Sequence, residues 1–163
     1  MGEFRVYSVE GDLFPLRPWK GDFHLHTHHS DGKETPTYVA ASCRKIGLDF
    51  MAITDHHKYA PSLEAQRAFD GVPVDLKIFP GEEIHPPGNP AHTINFGGRF
   101  SINEWFAKPE YQAGVEAVKA GLPPLAAGVD ATQYASCRWV FDKTREAGGL
   151  AIFCHPYWFA SHS

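Results

Sequence analysis

The sequence predicts an α/β domain built on a parallel sheet, and three observations carry that reading. From Gly21 onward, short apolar runs alternate with helix-periodic stretches. The 163 residues are 43% hydrophobic, enough chain for one buried core. Histidines and carboxylates cluster where the apolar runs end in loops, the positions at which parallel barrels and open α/β sheets gather function.

Residues 1–20 are set apart as an N-terminal extension, and residues 21–163 form the domain. In the extension, Phe4, Val6 and Tyr7 read as a short edge strand, and Pro15 and Pro18 as an extended approach. Phe23-His24-Leu25-His26 is the first core strand; its period of two sends Phe23 and Leu25 to one face and both histidines to the other. Thr35 caps a helix with Pro36 in its first position, Val39, Cys43 and Ile46 as its buried stripe, and Gly47 as its stop. The next strand, Asp49 to Thr54, ends at Asp55-His56-His57. A helix from Ser62 to Phe69 leads to a third strand, Leu76 to Phe79, which runs out at Gly81-Glu82-Glu83, and His92 to Phe96 is a fourth. Ser101-Ile102-Asn103-Glu104 is a capping box opening a helical region that Leu122-Pro123-Pro124 interrupts. A helix from Thr132 to Ala147 carries Tyr134, Cys137 and Phe141 on one stripe, with Gly148-Gly149 past its end. Leu150 to Cys154 is a continuous apolar run, expected of a strand covered on both faces, and it finishes at His155-Pro156.

Composition excludes several classes. With 15 basic and 19 acidic side chains the net charge is −4, which argues against a protein that coats a phosphate backbone. Cys43, Cys137 and Cys154 are too widely spaced for a disulfide framework or a CxxC metal pair, so a reducing, cytoplasmic setting is expected. The N-terminus lacks a signal pattern, and no run approaches the ~20 apolar residues of a membrane span. Ten histidines remain to be explained, four of them (His24, His26, His28, His29) within six residues.

His-x-His on one strand places two imidazoles about 7 Å apart along the backbone, close enough for one cation, although a histidine-rich chain also produces that spacing by chance. Asp31 adds a carboxylate in a loop that Gly32 can fold back toward the histidines. His56 can present one ring nitrogen to a metal while Asp55 or a neighbour holds the other. Alternation lets only one of Glu82 and Glu83 face the site. His28, His29 and His57 read as exposed, and His85, although it shares the parity of Glu83, as leaving the sheet at the prolines that follow it.

Asp22-Phe23-His24-Leu25-His26-Thr27, Ser30-Asp31-Gly32, Thr35-Pro36, Thr54-Asp55-His56, Gly81-Glu82-Glu83, His92 and Gly149-Leu150 through His155-Pro156 together resemble the polymerase and histidinol phosphatase (PHP) family, in order, over residues 21 to 157. The lead-in Trp19-Lys20-Gly21-Asp22 is similar to a subgroup of metallohydrolases of broader substrate class. The resemblance implies a distorted seven-stranded β/α barrel and a metal-dependent phosphoesterase with two or three metal ions. It places His24, His26, Asp31, His56, Glu83, His92 and His155 on ligand positions and makes Glu83 the bridging carboxylate. The family's further Asp-x-His pair has no match here, since Ala160 precedes His162 by two residues. The expectation is a barrel lacking its last strand or strands, with an edge beside Leu150 to Cys154 left exposed or covered by a partner or a missing segment.

An imidazole and carboxylate donor set suits Zn, Mn or Fe over Mg or Ca. Two such ions ~3.5–4 Å apart hold a hydroxide nucleophile and clamp phosphoryl oxygens. In this scheme His24 and His26 hold one ion with Glu83, His92 and His155 the second with Glu83, and Asp31 and His56 a third. Glu83, Asp31 and His56 are the residues expected to carry the reaction, and Lys58 or Arg99 to meet the phosphate. The expected substrate is a small phosphate ester or nucleotide. Hydrolysis of a carboxylic or carbamic ester or an amide, and an incomplete, non-catalytic metal-binding domain, are the alternatives.

Overall fold

The computed structural model describes residues 10–156, so the expected strand over Phe4 to Tyr7 and the chain around His162 lie outside the described residues. Strands β1 (Gly21–Leu25), β2 (Phe50–Ile53) and β3 (Lys77–Phe79) form a parallel sheet in that order. Helices α1 (Pro36–Lys45) and α2 (Ala60–Ala68) make the crossovers between them. Strands β4 (Gly81–Ile84), β5 (Thr93–Phe96) and β6 (Leu150–Phe153) form a second sheet, and it is antiparallel. Helices α3 (Pro109–Ala120) and α4 (Ala131–Glu146) pack on each other in the excursion between β5 and β6.

The parallel reading therefore holds only for the first half. Pro80 alone separates β3 from β4, whereas a parallel return needs a crossover of a dozen or more residues. The chain bends at Pro80 and starts a new sheet. Glu83 consequently sits on its own strand, not at the end of β3. An isolated parallel bridge, His56↔Glu83, ties the two sheets together. Among the described residues the fold is α/β with six strands in two three-stranded sheets, and no closed seven-stranded ring is formed.

Sheet β1-β2-β3 is buried on both faces. Met51, Ile53 and Ile78 pack with Ala40 and Cys43 of α1 and Ala65 of α2. Phe50, Ala52 and Phe79 face the second sheet, against Ile94, Phe96 and Ile152. In β1 the register shifts by one residue between Asp22 and Leu25, and this bulge changes the expected alternation. Phe23 packs edge-on against Phe50 and Phe96, while Leu25 packs in the cluster with Met51 and Ile53, so the two lie on opposite faces.

Thr35 caps α1 by accepting a hydrogen bond from the Tyr38 amide. Its buried positions are Pro36, Ala40 and Cys43; Ile46, expected in that stripe, follows the last helical turn and is 73% exposed. Ser101 Oγ accepts from the Glu104 amide at 3.2 Å, as a capping box requires, and heads a short 3-10 helix, Asn103–Trp105. In α4 the buried residues are Ala135, Ser136, Val140 and Thr144, and Tyr134 is 44% exposed. Toward α3, Ala135 and the Trp139 ring pack on Tyr111 and Val115, with Trp139 tight against Gly114, while Val140 packs with Ile84 and Ile102. Strand β6 differs from its expected double cover: Leu150 and Phe153 are 61% and 45% exposed, and its only strand partner among the described residues is β5. No helix among them is long and apolar enough to cross a membrane.

Candidate metal centre

The site forms where both sheets expose strand ends toward each other. Its hub is Glu83, whose side chain is fully buried. Oε2 lies 3.1 Å from His24 Nε2, 3.2 Å from His26 Nε2 and 3.0 Å from His56 Nδ1. Oε1 lies 2.9 Å from His92 Nδ1, 3.3 Å from His155 Nε2 and 3.7 Å from His85 Nε2. One carboxylate thus divides two groups of imidazoles, the first from the parallel sheet and the second from the antiparallel one. A cleft of about 440 Å³ opens on it, lined by His24, His26, Asp31, His56, Glu83 and His155.

Asp31 stands at the mouth, two-thirds exposed, with Oδ1 3.4 Å from His26 Nδ1 and Oδ2 3.5 Å from His56 Nε2. Its loop closes through the Gly32 amide donating to the Thr27 carbonyl at 2.9 Å. A Cβ on Gly32 would meet the His26 carbonyl oxygen at 2.6 Å and Thr27 Cα at 2.8 Å, so the close approach demands glycine. The loop is held from beneath by Asp55, fully buried, which accepts from the Thr27 amide at 2.7 Å, Thr27 Oγ1 at 2.6 Å and Ser30 Oγ at 2.5 Å. Asp55 therefore does not orient the ring of His56. Nδ1 of His56 sits 2.8 Å from His85 Nε2 instead.

Glu82 faces away from the histidines, as strand alternation demands of one of the pair. It accepts hydrogen bonds from the Ile102 amide, Ser101 Oγ, Asn103 Nδ2 and Asn95 Nδ2, and burial still lifts its pKa above the ordinary carboxylate value. For Glu83, burial is outweighed by hydrogen bonds from His24 and His26 and the charge of His56, which hold the carboxyl well below its usual range. The Glu83 hydrogen bond raises the His26 pKa against the opposing effect of burial. Burial, with the neighbouring His92 and His57, lowers His85 to about 3, and burial likewise lowers His92. For Asp31, burial is the largest single influence and raises the pKa, but His26 and His56 beside it and its hydrogen bonds together bring it below the ordinary carboxylate value.

The residues expected to be exposed bind elsewhere. His28 Nδ1 pairs with the Glu34 carbonyl and His29 Nε2 with Glu64 Oε2 at 3.0 Å. Lys58 Nζ donates to the His29 carbonyl, and Arg99 reaches the Glu146 carbonyl beside the end of α4, so neither points at Glu83. Two members of the cluster were not anticipated. His85, expected to leave the sheet at the prolines after it, does lie past the end of β4 at Ile84, yet its Nε2 comes within 3.7 Å of Glu83 Oε1. Cys154, read as core, places Sγ 3.6 Å from Glu83 Oε1.

The donor set fits divalent cations. Every ionic partner of Glu83 among the described residues is a histidine. Three groups bring their ligand atoms within 4.8 Å of one another: His26, His56 and Glu83; Glu83, His85 and His92; and His24, Glu83, Cys154 and His155. A buried carboxylate ringed by imidazole nitrogens, two of them held neutral by burial, is charged and directed as a cation site requires.

No family model matches the chain. Over 68 residues, 40% of its length, the chain is 41% identical to the DNA polymerase/3'-5' exonuclease PolX of Bacillus subtilis, of which it covers 12%. Its structure is similar to a Bacteroides vulgatus two-domain protein containing a PHP-like metal-dependent phosphoesterase, with a TM-score of 0.52 over 92% of the chain and 18% identity. This chain shares the fold of that PHP-like protein. The chain spans 39% of that two-domain protein. It also aligns with a metal-dependent phosphoesterase of Bifidobacterium adolescentis (27% identity, TM-score 0.45, 80% of this chain and 51% of that one). The likeness extends to an amidohydrolase of Chromobacterium violaceum (19% identity, TM-score 0.48, 84% of this chain and 67% of that one).

Proposed function

We propose that this PHP-like domain, residues 21–163 of the chain, is a metal-dependent phosphoesterase acting on a small phosphate ester or nucleotide. The observation that carries the reading is the division of Glu83, with one oxygen facing His24, His26 and His56 and the other facing His92, His155 and His85. Such a carboxylate can serve two cations at once, from Zn, Mn or Fe. His24, His26, Asp31, His56, Glu83, His92 and His155 are the proposed ligands, with His85 added by its position.

Bound divalent cations supply an acidified water and neutralise phosphoryl charge. The protein's own groups then divide the remaining work. Glu83 and the buried imidazoles present a fixed, preorganised field at the base of the cleft, so that little reorganisation accompanies the reaction. Asp31 Oδ2, anionic and exposed beside His56 Nε2, is placed to accept a proton at the mouth. His56, between Asp31 and Glu83, keeps that carboxylate oriented. The bridge His56↔Glu83 is the seam along which the two sheets would continue into a barrel, and the exposed β6 is the edge that a partner or further chain would cover. Three free cysteines, two of them buried, support a reducing compartment such as the cytoplasm.

The test is turnover of p-nitrophenyl phosphate and of an aryl ester by metal-stripped protein after addition of Zn, Mn or Fe. Phosphate release that chelator removes and metal restores is the expected result. Turnover of the aryl ester alone would move the reaction to carbon, and stoichiometric metal with no turnover of either would overturn the enzymatic reading.

A further inference from the structure

We infer that Cys154 is a metal ligand, completing a His24, Glu83, Cys154 and His155 site that favours a thiophilic ion such as Zn. This rests on the reading that the cluster around Glu83 holds metal, and goes beyond it by naming a sulfur donor at a position expected to be core.

Two edges that meet at Glu83 Oε1 match those of a zinc tetrahedron. Zn bonds of about 2.1 Å to nitrogen or oxygen and about 2.3 Å to sulfur give ligand–ligand edges of roughly 3.4 Å between light atoms and 3.6 Å to sulfur. The corresponding separations from Glu83 Oε1 are 3.3 Å to His155 Nε2 and 3.6 Å to Cys154 Sγ, while His24 Nε2 approaches the other oxygen, Oε2, at 3.1 Å. All four residues offer ligand atoms within 4.8 Å of one another. Backbone geometry explains how neighbours in sequence both reach the site. His155 has φ of 32°, a left-handed value rare outside glycine. That turn at the end of β6 breaks the alternation that would otherwise send Cys154 and His155 to opposite faces.

The other two groups contain only imidazole and carboxylate donors. The cluster is thus chemically asymmetric, with sulfur on the Oε1 side alone. Without metal, Cys154 donates its thiol proton to Glu83 Oε1. On binding, that proton leaves to solvent, the sulfur lone pair goes to the ion, and Oε1 is freed to coordinate as well.

Cobalt(II), a spectroscopic stand-in for zinc, reads the assignment directly. Metal-stripped protein titrated with cobalt should develop a sulfur-to-cobalt charge-transfer band in the near ultraviolet. Cys154→Ser and Cys154→Ala should each lose the band while still binding cobalt at the other donors by equilibrium dialysis, and Cys137→Ser should keep it. Zinc should bind Cys154→Ala about tenfold or more weakly, with Mn affinity nearly unchanged. Bound cobalt without the band in the unaltered chain would overturn the sulfur ligand and leave the metal centre standing. No bound cobalt at all would overturn both.

Discussion

Asp55 is the buried anchor of the loop that carries Asp31, and its removal offers the sharpest test of how the site is held. Asp55→Ala deletes an acceptor of three hydrogen bonds, from the Thr27 amide, Thr27 Oγ1 and Ser30 Oγ, and leaves the fully buried Thr27 without that partner. Hydrogen bonds to a charged group contribute about 1.5–3 kcal/mol each but do not add, and an orphaned buried donor costs about 1–3 kcal/mol. A loss of about 3–5 kcal/mol is the expected total, in the range found when one member of a buried charged network is deleted. With a urea m-value of about 2 kcal/mol/M, the unfolding midpoint falls by roughly 2 M. Asp55→Asn keeps one oxygen for the Thr27 amide and Ser30, and the Thr27 hydroxyl can turn to accept from the new amide. Its cost is about 1–2 kcal/mol. Urea unfolding of metal-free protein, followed by circular dichroism, measures both. A midpoint shift below about 0.5 M for Asp55→Ala, equivalent to about 1 kcal/mol, refutes the anchoring role.

Glu83→Gln should reduce bound metal from two or three equivalents to one or none and abolish turnover; full activity in that variant sinks the bridging role. Gly32→Ala forces its new methyl onto the His26 and Thr27 backbone, so the Asp31 loop must move and metal affinity should drop about 10- to 100-fold by isothermal titration; unchanged affinity would show that Asp31 does not contribute. Metal content should also fall with pH. Only neutral imidazole binds metal, so His26, whose pKa is raised above that of a free imidazole, brings proton competition in first, before pH falls to about 6.5. His85, lowered to about 3 by burial, stays neutral and holds its ion to lower pH. Elemental analysis after dialysis at pH of about 7.5, 6 and 5 should show stepwise loss, and full retention at the lowest value contradicts it. Leu150→Thr, at an exposed edge position, should change stability by less than about 0.5 kcal/mol and lower any self-association seen by sedimentation; a loss above about 2 kcal/mol would mean that β6 is covered after all.

Local chemistry made much of the site legible in the sequence. His24 in β1 and His26 just past its end converge on Glu83 Oε2, and the Thr35-Pro36 pair starts α1 where cap preferences put it. Alternation admits only one of Glu82 and Glu83 to the site, and the family resemblance points to Glu83; Glu82 turns to Ser101 and Asn103. Long-range geometry was not legible. Nothing local reveals that the one-residue link at Pro80 ends one sheet and begins another, although the impossibility of so short a parallel return was there to be used. The β1 bulge shows only as a register shift against β2, so Phe23 and Leu25 kept their simple alternation in the sequence reading. His85 lies just past the end of β4, as the prolines after it imply, and only the folded structure shows its ring 3.7 Å from Glu83 Oε1. Cys154 was hidden in an apolar run, and only the positive φ of His155 turns the chain so that both reach the carboxylate.

The bridge His56↔Glu83 has a consequence for how the molecule assembles. Three imidazoles of the centre, from His24, His26 and His56, belong to one sheet, and Glu83, His85, His92 and His155 come from the other. Neither half by itself offers the complete set of donors. An ion held there would therefore bind fully only as the two halves dock, and would add a polar clasp to the apolar packing that already joins the sheets. Chelation should loosen the join between halves before it melts either one, which makes metal loading a gauge of tertiary assembly as much as of chemistry.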